Sequence, residues 1–140
     1  MKYADNQSKF AVVVNRDVSP ARLLNAVAHC CAGLAGRIGA AADFLEYPCP
    51  AEEWTANISR WPAIVLVAKN GGQIARFVRE ARARNLAMNC FTAAMLGADA
   101  EQQRRQVRED AKPEYWAAAA FGEEPELREI TRRFSLYKGN

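Results

Sequence analysis

Ala63-Ile-Val-Leu-Val-Ala68 is an unbroken apolar run, rich in β-branched residues and introduced by Trp61-Pro62. Such a run is too short for an ordinary helix and suits a strand buried on both faces. A strand of that kind needs helices above and below its sheet, so it restricts the chain to layered α/β arrangements. The flanking sequence supplies the layers. Phe10-Ala-Val-Val-Val14 is a second β-branched run, followed by Ser19-Pro20 as a helix-start pair and a long helical pattern that Gly39 stops. In that helix Leu23, Leu24, Val27, Cys31, Leu34 and Ile38 fall on one face, which is expected to lie on the sheet.

Residues 40–60 contain Pro48 and Pro50 among mixed polarity and read as a connection with room for one short strand or turn. After Asn70-Gly-Gly72, Ile74, Phe77, Val78 and Ala81 define an amphipathic helix with Arg76, Arg79, Glu80, Arg82 and Arg84 turned to solvent. Leu86 to Phe91 suits a third strand. Asp99-Ala-Glu-Gln102 resembles a capping box ahead of an almost wholly polar helix to Asp110, in which Glu101 is placed to pair with Arg104 or Arg105. That helix reads as a solvated excursion, with a lid or an oligomer edge as the alternatives. Tyr115 to Phe121, with four alanines, fits helix and buried strand equally. Pro125, Leu127, Ile130 and Phe134 mark a last helix, with Glu129 set to pair with Arg132 or Arg133. Residues 1–140 thus read as a single α/β domain whose segment 1–8 is expected to be loosely ordered.

Composition narrows the function classes only a little. A net charge of +3 without a basic tail permits nucleic-acid contact but does not argue for it. The start of the chain lacks a secretory apolar stretch and no apolar run is long enough to span a bilayer, so a cytoplasmic protein is expected, with no membrane partner. Cys30 and Cys31 are adjacent, Cys49 and Cys90 stand alone, and the chain has a single His. These read as structural thiols, with no metal and no cofactor expected; a site made from His29, Cys30 and distant cysteines is the lesser alternative. No P-loop, Gly-x-Gly-x-x-Gly or Gly-x-Ser-x-Gly pattern is present.

The sharpest local feature is a stripe on the first helix, Arg22, Asn25, His29, Gly33 and Gly36, expected opposite the apolar face. It follows directly on the first strand, where open α/β sheets place ligands, and a helix N-terminus beside Arg22 favours a phosphate or carboxylate. His29 could orient a ligand or act as an acid/base group. The structural alternative is that Asn25 and His29 satisfy neighbouring backbone groups while the glycines admit a close approach.

Strand Phe10 to Asn15, the segment Pro20-Ala-Arg-Leu-Leu-Asn-Ala-Val-Ala-His29, strand Ile64 to Ala68, helix Gln73 to Asn85, Phe121-Gly122 and Thr131-Arg-Arg-Phe-Ser-Leu-Tyr137 resemble the type-two peptidyl-tRNA hydrolases in order and spacing. Within that superfamily, Leu24-Asn25-Ala26-x-Ala28-His29 and Phe91-Thr92-x-x-Met95 are similar to domain-of-unknown-function family two thousand. The resemblance implies a three-layer sandwich around a four-stranded mixed sheet, with Tyr115 to Phe121 as a strand, and a homodimer. Arg22 stands where the hydrolases carry Lys, Ala26 where they carry Gln, and Cys90, or Asn89 one register earlier, where they carry Asp, while His29 matches their His. The expected function is therefore a protein of that fold whose catalytic motif is not retained, binding a small or phosphate-bearing ligand near Arg22, Asn25, His29, Asn89, Cys90 and Thr92. The alternative is a divergent hydrolase of an ester or amide such as peptidyl-tRNA, with Arg22, His29 and Cys90 as its catalytic set, His29 as base and Cys90 as nucleophile.

Overall fold

A computed structural model describes residues 5–139. In chain order its elements are β1 (Ser8–Asn15), α1 (Pro20–Ile38), β2 (Phe44–Cys49), β3 (Trp54–Ser59), β4 (Ala63–Ala68), α2 (Gly71–Ala83), β5 (Ala87–Thr92), α3 (Ala100–Glu109), β6 (Tyr115–Glu123), α4 (Glu124–Thr131) and β7 (Ser135–Leu136). Short 3-10 turns follow α1 and β5. Of the segment 1–8 expected to be loose, residues 1–4 lie outside the described ones. Asp5 pairs with Arg60, the Gln7 carbonyl accepts from Glu124 N–H, and Ser8 already belongs to β1.

The main sheet is mixed and runs β5-β6-β1-β4-β7. β1 and β4 are parallel, and the other neighbours pair antiparallel. It has five strands rather than the four expected, because the two-residue β7 adds to β4 at Leu66 and Val67. A strand that short leaves no periodic trace. The stretch 40–60 also departs from expectation: it forms a separate antiparallel hairpin, β2 with β3. Pro48 sits within β2, which a two-stranded ribbon tolerates because one edge of each strand needs no partner.

Side-chain alternation along β1 divides the core. Ala11 and Val13 face a cluster with Leu66, Ile74, Phe77, Leu127 and Ile130, under α2 and α4. Val12 and Val14 face Leu23, Ala26, Cys30 and Leu34 of α1. The alanine run resolves as a central strand: Ala117, Ala118, Ala119 and Ala120 are all fully buried, alternating between the two clusters. Helices press on this strand from both sides, and only small side chains fit between them.

The sheet-facing side of α1 keeps the expected stripe except at Leu24: Leu23 and Leu34 are core, and Val27, Cys31 and Ile38 pack against the same cluster half-buried. Leu23, Ala26, Cys30 and Leu34 are buried, whereas Leu24 is 74% exposed. Ala26 and Cys30 join Leu23 and Leu34 at the contact, so the buried face is centred slightly away from the side that Leu24 marks. Arg22, Asn25, His29 and Gly33 each precede a buried residue by one position. They therefore flank the contact instead of lying opposite it.

Local signals held at several ends. Asn70 and Asp99 cap α2 and α3 by accepting from the backbone N–H of Gln73 and Gln102, and Gly39 takes the positive φ that stops α1. Ser19 precedes α1 without a side-chain cap. Glu129 pairs with Arg132 as its spacing suggests, whereas Glu101 makes no ion pair among the described residues.

Two carboxylates tie α2, α4 and the chain termini together. Burial pushes Glu80 up, but hydrogen bonds and charge from Arg76 and Arg133 outweigh it and leave the group below its usual value. Hydrogen bonding from Arg128, helped by Lys9, depresses Glu124 against a smaller opposing effect of burial. A depressed carboxylate stabilises the fold at pH above its unfolded value, and the contribution disappears as pH falls through the folded one. Stability is therefore expected to be flat in this respect near neutrality and to fall below about pH 4. In urea titrations across that range, Glu80→Gln should flatten the acid limb; an unchanged limb would show that the pair carries none of it.

Candidate functional site

A groove of about 690 Å3 opens between α1, the free edge of β5 and α3. Asn25 and His29 line it from α1, and Asn89, Cys90 and Phe91 from β5. Met95, Leu96, Gly97, Gln103, Arg104, Val107 and Arg108 close it from the loop and α3.

Each wall has a local cause. His29 lies one turn beyond Asn25, and its ring stacks on Phe91 with centroids 5.7 Å apart and planes 18° from parallel. Phe91 in turn packs on Trp116 at 5.6 Å, and the Arg22 guanidinium lies 5.5 Å from the Trp116 ring centroid. This stack orients the imidazole at the groove wall. Asn89 anchors the opposite side: its Nδ2 donates to the Cys30 carbonyl at 3.2 Å. The approach of α1 to β5 is close enough that a Cβ on Gly33 would sit 2.4 Å from that nitrogen.

α3 lacks an apolar stripe and is held by amides instead. Gln106 Nε2 donates to the carbonyls of Ala94 and Leu96, Gln103 Nε2 to that of Gly97, and Gln102 Oε1 accepts from Ala98 N–H. Glutamines at three positions of one polar helix thus bind it to the loop that leads into it. That attachment brings Arg104, Val107 and Arg108 to the groove. Neither arginine is ion-paired among the described residues, and no carboxylate lines the groove. The site carries positive charge over an apolar floor.

The sequence-derived candidates separate accordingly. Asn25, His29, Asn89 and Cys90 meet at the groove. Arg22 does not line it and stacks on Trp116. Thr92 is buried, 4% exposed, and does not line it either. Cys90 reaches the groove from the sheet edge, but its side chain packs with the α2-side cluster, whereas His29 lies on the α1 side against Phe91. No hydrogen bond joins the two among the described residues. Burial pushes the Cys90 thiol up, against a smaller opposing effect of Arg37, which disfavours the reactive thiolate. Cys30, also expected to be structural, is pushed up to about 12 by burial and the neighbouring thiols. No metal-binding group of His, Cys, Asp and Glu occurs among the described residues.

Arg104 and Arg108 escaped the sequence reading. Their signal was present: two arginines at i and i+4 with Val107 beside them. A second cavity, about 600 Å3, lies between α1 and the hairpin, with Phe10, Cys31, Leu45 and Ile58 in its walls. Its arginine, Arg60, is already paired with Asp43 and Asp5. The first groove is therefore the one with unspent charge.

The family described as "Protein of unknown function (DUF2000)" matches residues 8–138. No curated protein matches. The fold is similar to the solved structure of a protein of unknown function, Atu0240, from Agrobacterium tumefaciens str. C58. The TM-score is 0.79 at 16% identity, over 94% of this chain and 98% of that one.

Proposed function

This chain belongs to the DUF2000 family, and from the groove's geometry we propose that it binds a small ligand combining an anionic group with an apolar body. One observation carries the reading: two guanidinium groups, Arg104 and Arg108, border the groove without ion-pair partners among the described residues, beside apolar side chains that include Phe91, Met95 and Val107. Asn25 and His29 add directional polar groups from the opposite wall. A phosphate, sulfonate or carboxylate would satisfy the arginines.

Our reading of the chain as related in fold to the type-two peptidyl-tRNA hydrolases places Arg22 where those enzymes carry Lys. Arg22 stacks on Trp116 outside the groove lining, and His29 has no carboxylate or thiol partner among the described residues. Ester or amide hydrolysis has no specific observation in its favour, and binding with the catalytic motif not retained is the reading we adopt.

The probe is 8-anilinonaphthalene-1-sulfonate, an aromatic sulfonate, measured by fluorescence with the native protein. Wild type is expected to bind it saturably, and the Arg104→Ala/Arg108→Ala variant about tenfold more weakly, the loss of two exposed charge contacts at roughly 0.5–1 kcal/mol each. Both side chains are exposed, so thermal stability should change little. Equal affinity in wild type and variant would overturn the assignment of the arginines.

A further inference from the structure

We propose that the groove's ligand is the C-terminal end of an extended peptide, added as a short strand to the free edge of β5 with its carboxylate on Arg104 and Arg108. This deepens the anion-binding reading and rests on it.

The sheet order leaves β5 unpaired on one side. Along an antiparallel strand, residues that exchange backbone bonds with the neighbour alternate with residues whose N–H and C=O face away. The Met88 carbonyl marks the outward set, because Arg37 Nη1 donates to it from α1, beyond the sheet edge. Cys90, two residues on, belongs to the same set and lines the groove. Its backbone N–H and C=O therefore face the groove with no protein partner among the described residues. An unpaired donor and acceptor at a sheet edge are what an added strand supplies.

Four further features fit one chain end. Arg37 occupies the edge at Met88, so the open stretch is short and suits the last few residues of a peptide better than a long strand. Beside Cys90, Phe91, Met95, Leu96 and Val107 provide an apolar recess for a side chain. Arg104 and Arg108 stand one helical turn apart on α3, a spacing that lets both guanidinium groups reach one carboxylate. The absence of any acidic side chain from the groove lining leaves that charge to the ligand.

The test uses N-acetyl-Ala-Ala-Leu as free acid and as C-terminal amide, with the full chain. Two signals are read: the His29 imidazole resonances, and hydrogen exchange at the Cys90 amide. The free acid is expected to shift His29 saturably and to slow Cys90 exchange at least tenfold at saturation, while the amide binds at least tenfold more weakly. Equal affinity for acid and amide would overturn the carboxylate assignment. His29 shifts with unchanged Cys90 exchange would overturn strand addition. If the aromatic sulfonate binds at the arginines and neither peptide binds, the peptide inference fails and the anion-binding groove stands; if none of the three binds, the groove reading itself fails.

Discussion

Replacing Ala119 by Leu is expected to destabilise the fold by about 1–3 kcal/mol and to lower Tm by roughly 5–10 °C. Ala119 is fully buried on β6, in the cluster shared with Val12, Ala26 and Cys30. Ala26 and Cys30, which share that cluster from α1, are small and fully buried, so three further carbons must displace side chains already packed there. The same strand faces α2 through Ala118 and Ala120, so the backbone cannot yield toward the other layer without disturbing a second packed cluster. Ala21→Leu on the exposed face of α1 is the control, expected to stay within about 0.5 kcal/mol. Thermal melts of the two variants decide the matter. An Ala119→Leu protein as stable as wild type would contradict the close packing of α1 on β6.

The second large effect concerns Gly33. Adding a methyl group there places it 2.4 Å from Asn89 Nδ2, so the amide must leave the Cys30 carbonyl or α1 must lift from β5. Gly33→Ala is expected to cost about 1–3 kcal/mol in the wild-type background. In an Asn89→Ala background the obstruction is gone, and the better helix propensity of alanine should make the same substitution neutral or stabilising by up to about 1 kcal/mol. The sign change in this double-mutant cycle is the specific signature. Equal costs in both backgrounds would show that Asn89 is not what Gly33 accommodates. Because Asn89 also lines the groove, Gly33→Ala should weaken binding of the aromatic sulfonate as well.

These sites also show what the sequence could disclose. β1, β4 and the apolar faces of α2 and α4 were legible because their patterns follow periods of two or 3.6 over enough residues to count. The alanine strand was not legible locally, since alanine favours helix and two helix layers make the run a strand; the family resemblance alone pointed to it. The face of α1 was legible apart from its centre: Leu24 looks like core and is exposed, while Ala26 and Cys30, too small to stand out in a periodic pattern, are fully buried. β2 and β3 were masked by two prolines and by polarity mixed along both strands. At the site, Asn25 and His29 were recognisable as polar residues on one stripe of a helix, whereas Asn89 came only from the family resemblance. Arg104 and Arg108 were hidden in a helix that owes its place to glutamine hydrogen bonds rather than to hydrophobic periodicity. The distance between Arg22 and the groove depends on the Trp116 stack, a contact between elements far apart in the chain that no local pattern announces.

The chain's single histidine lies in the groove, so its imidazole signals are an unambiguous reporter of occupancy. The most direct measurement is a two-dimensional NMR titration of those signals with 8-anilinonaphthalene-1-sulfonate and with its uncharged analogue N-phenyl-1-naphthylamine. A groove that binds an anionic group over an apolar floor predicts saturable His29 shifts with the sulfonate, much weaker ones with the neutral compound, and loss of the difference in Arg104→Ala/Arg108→Ala. Sulfonate fluorescence that saturates while His29 stays unmoved, or equal shifts with both compounds, would contradict it.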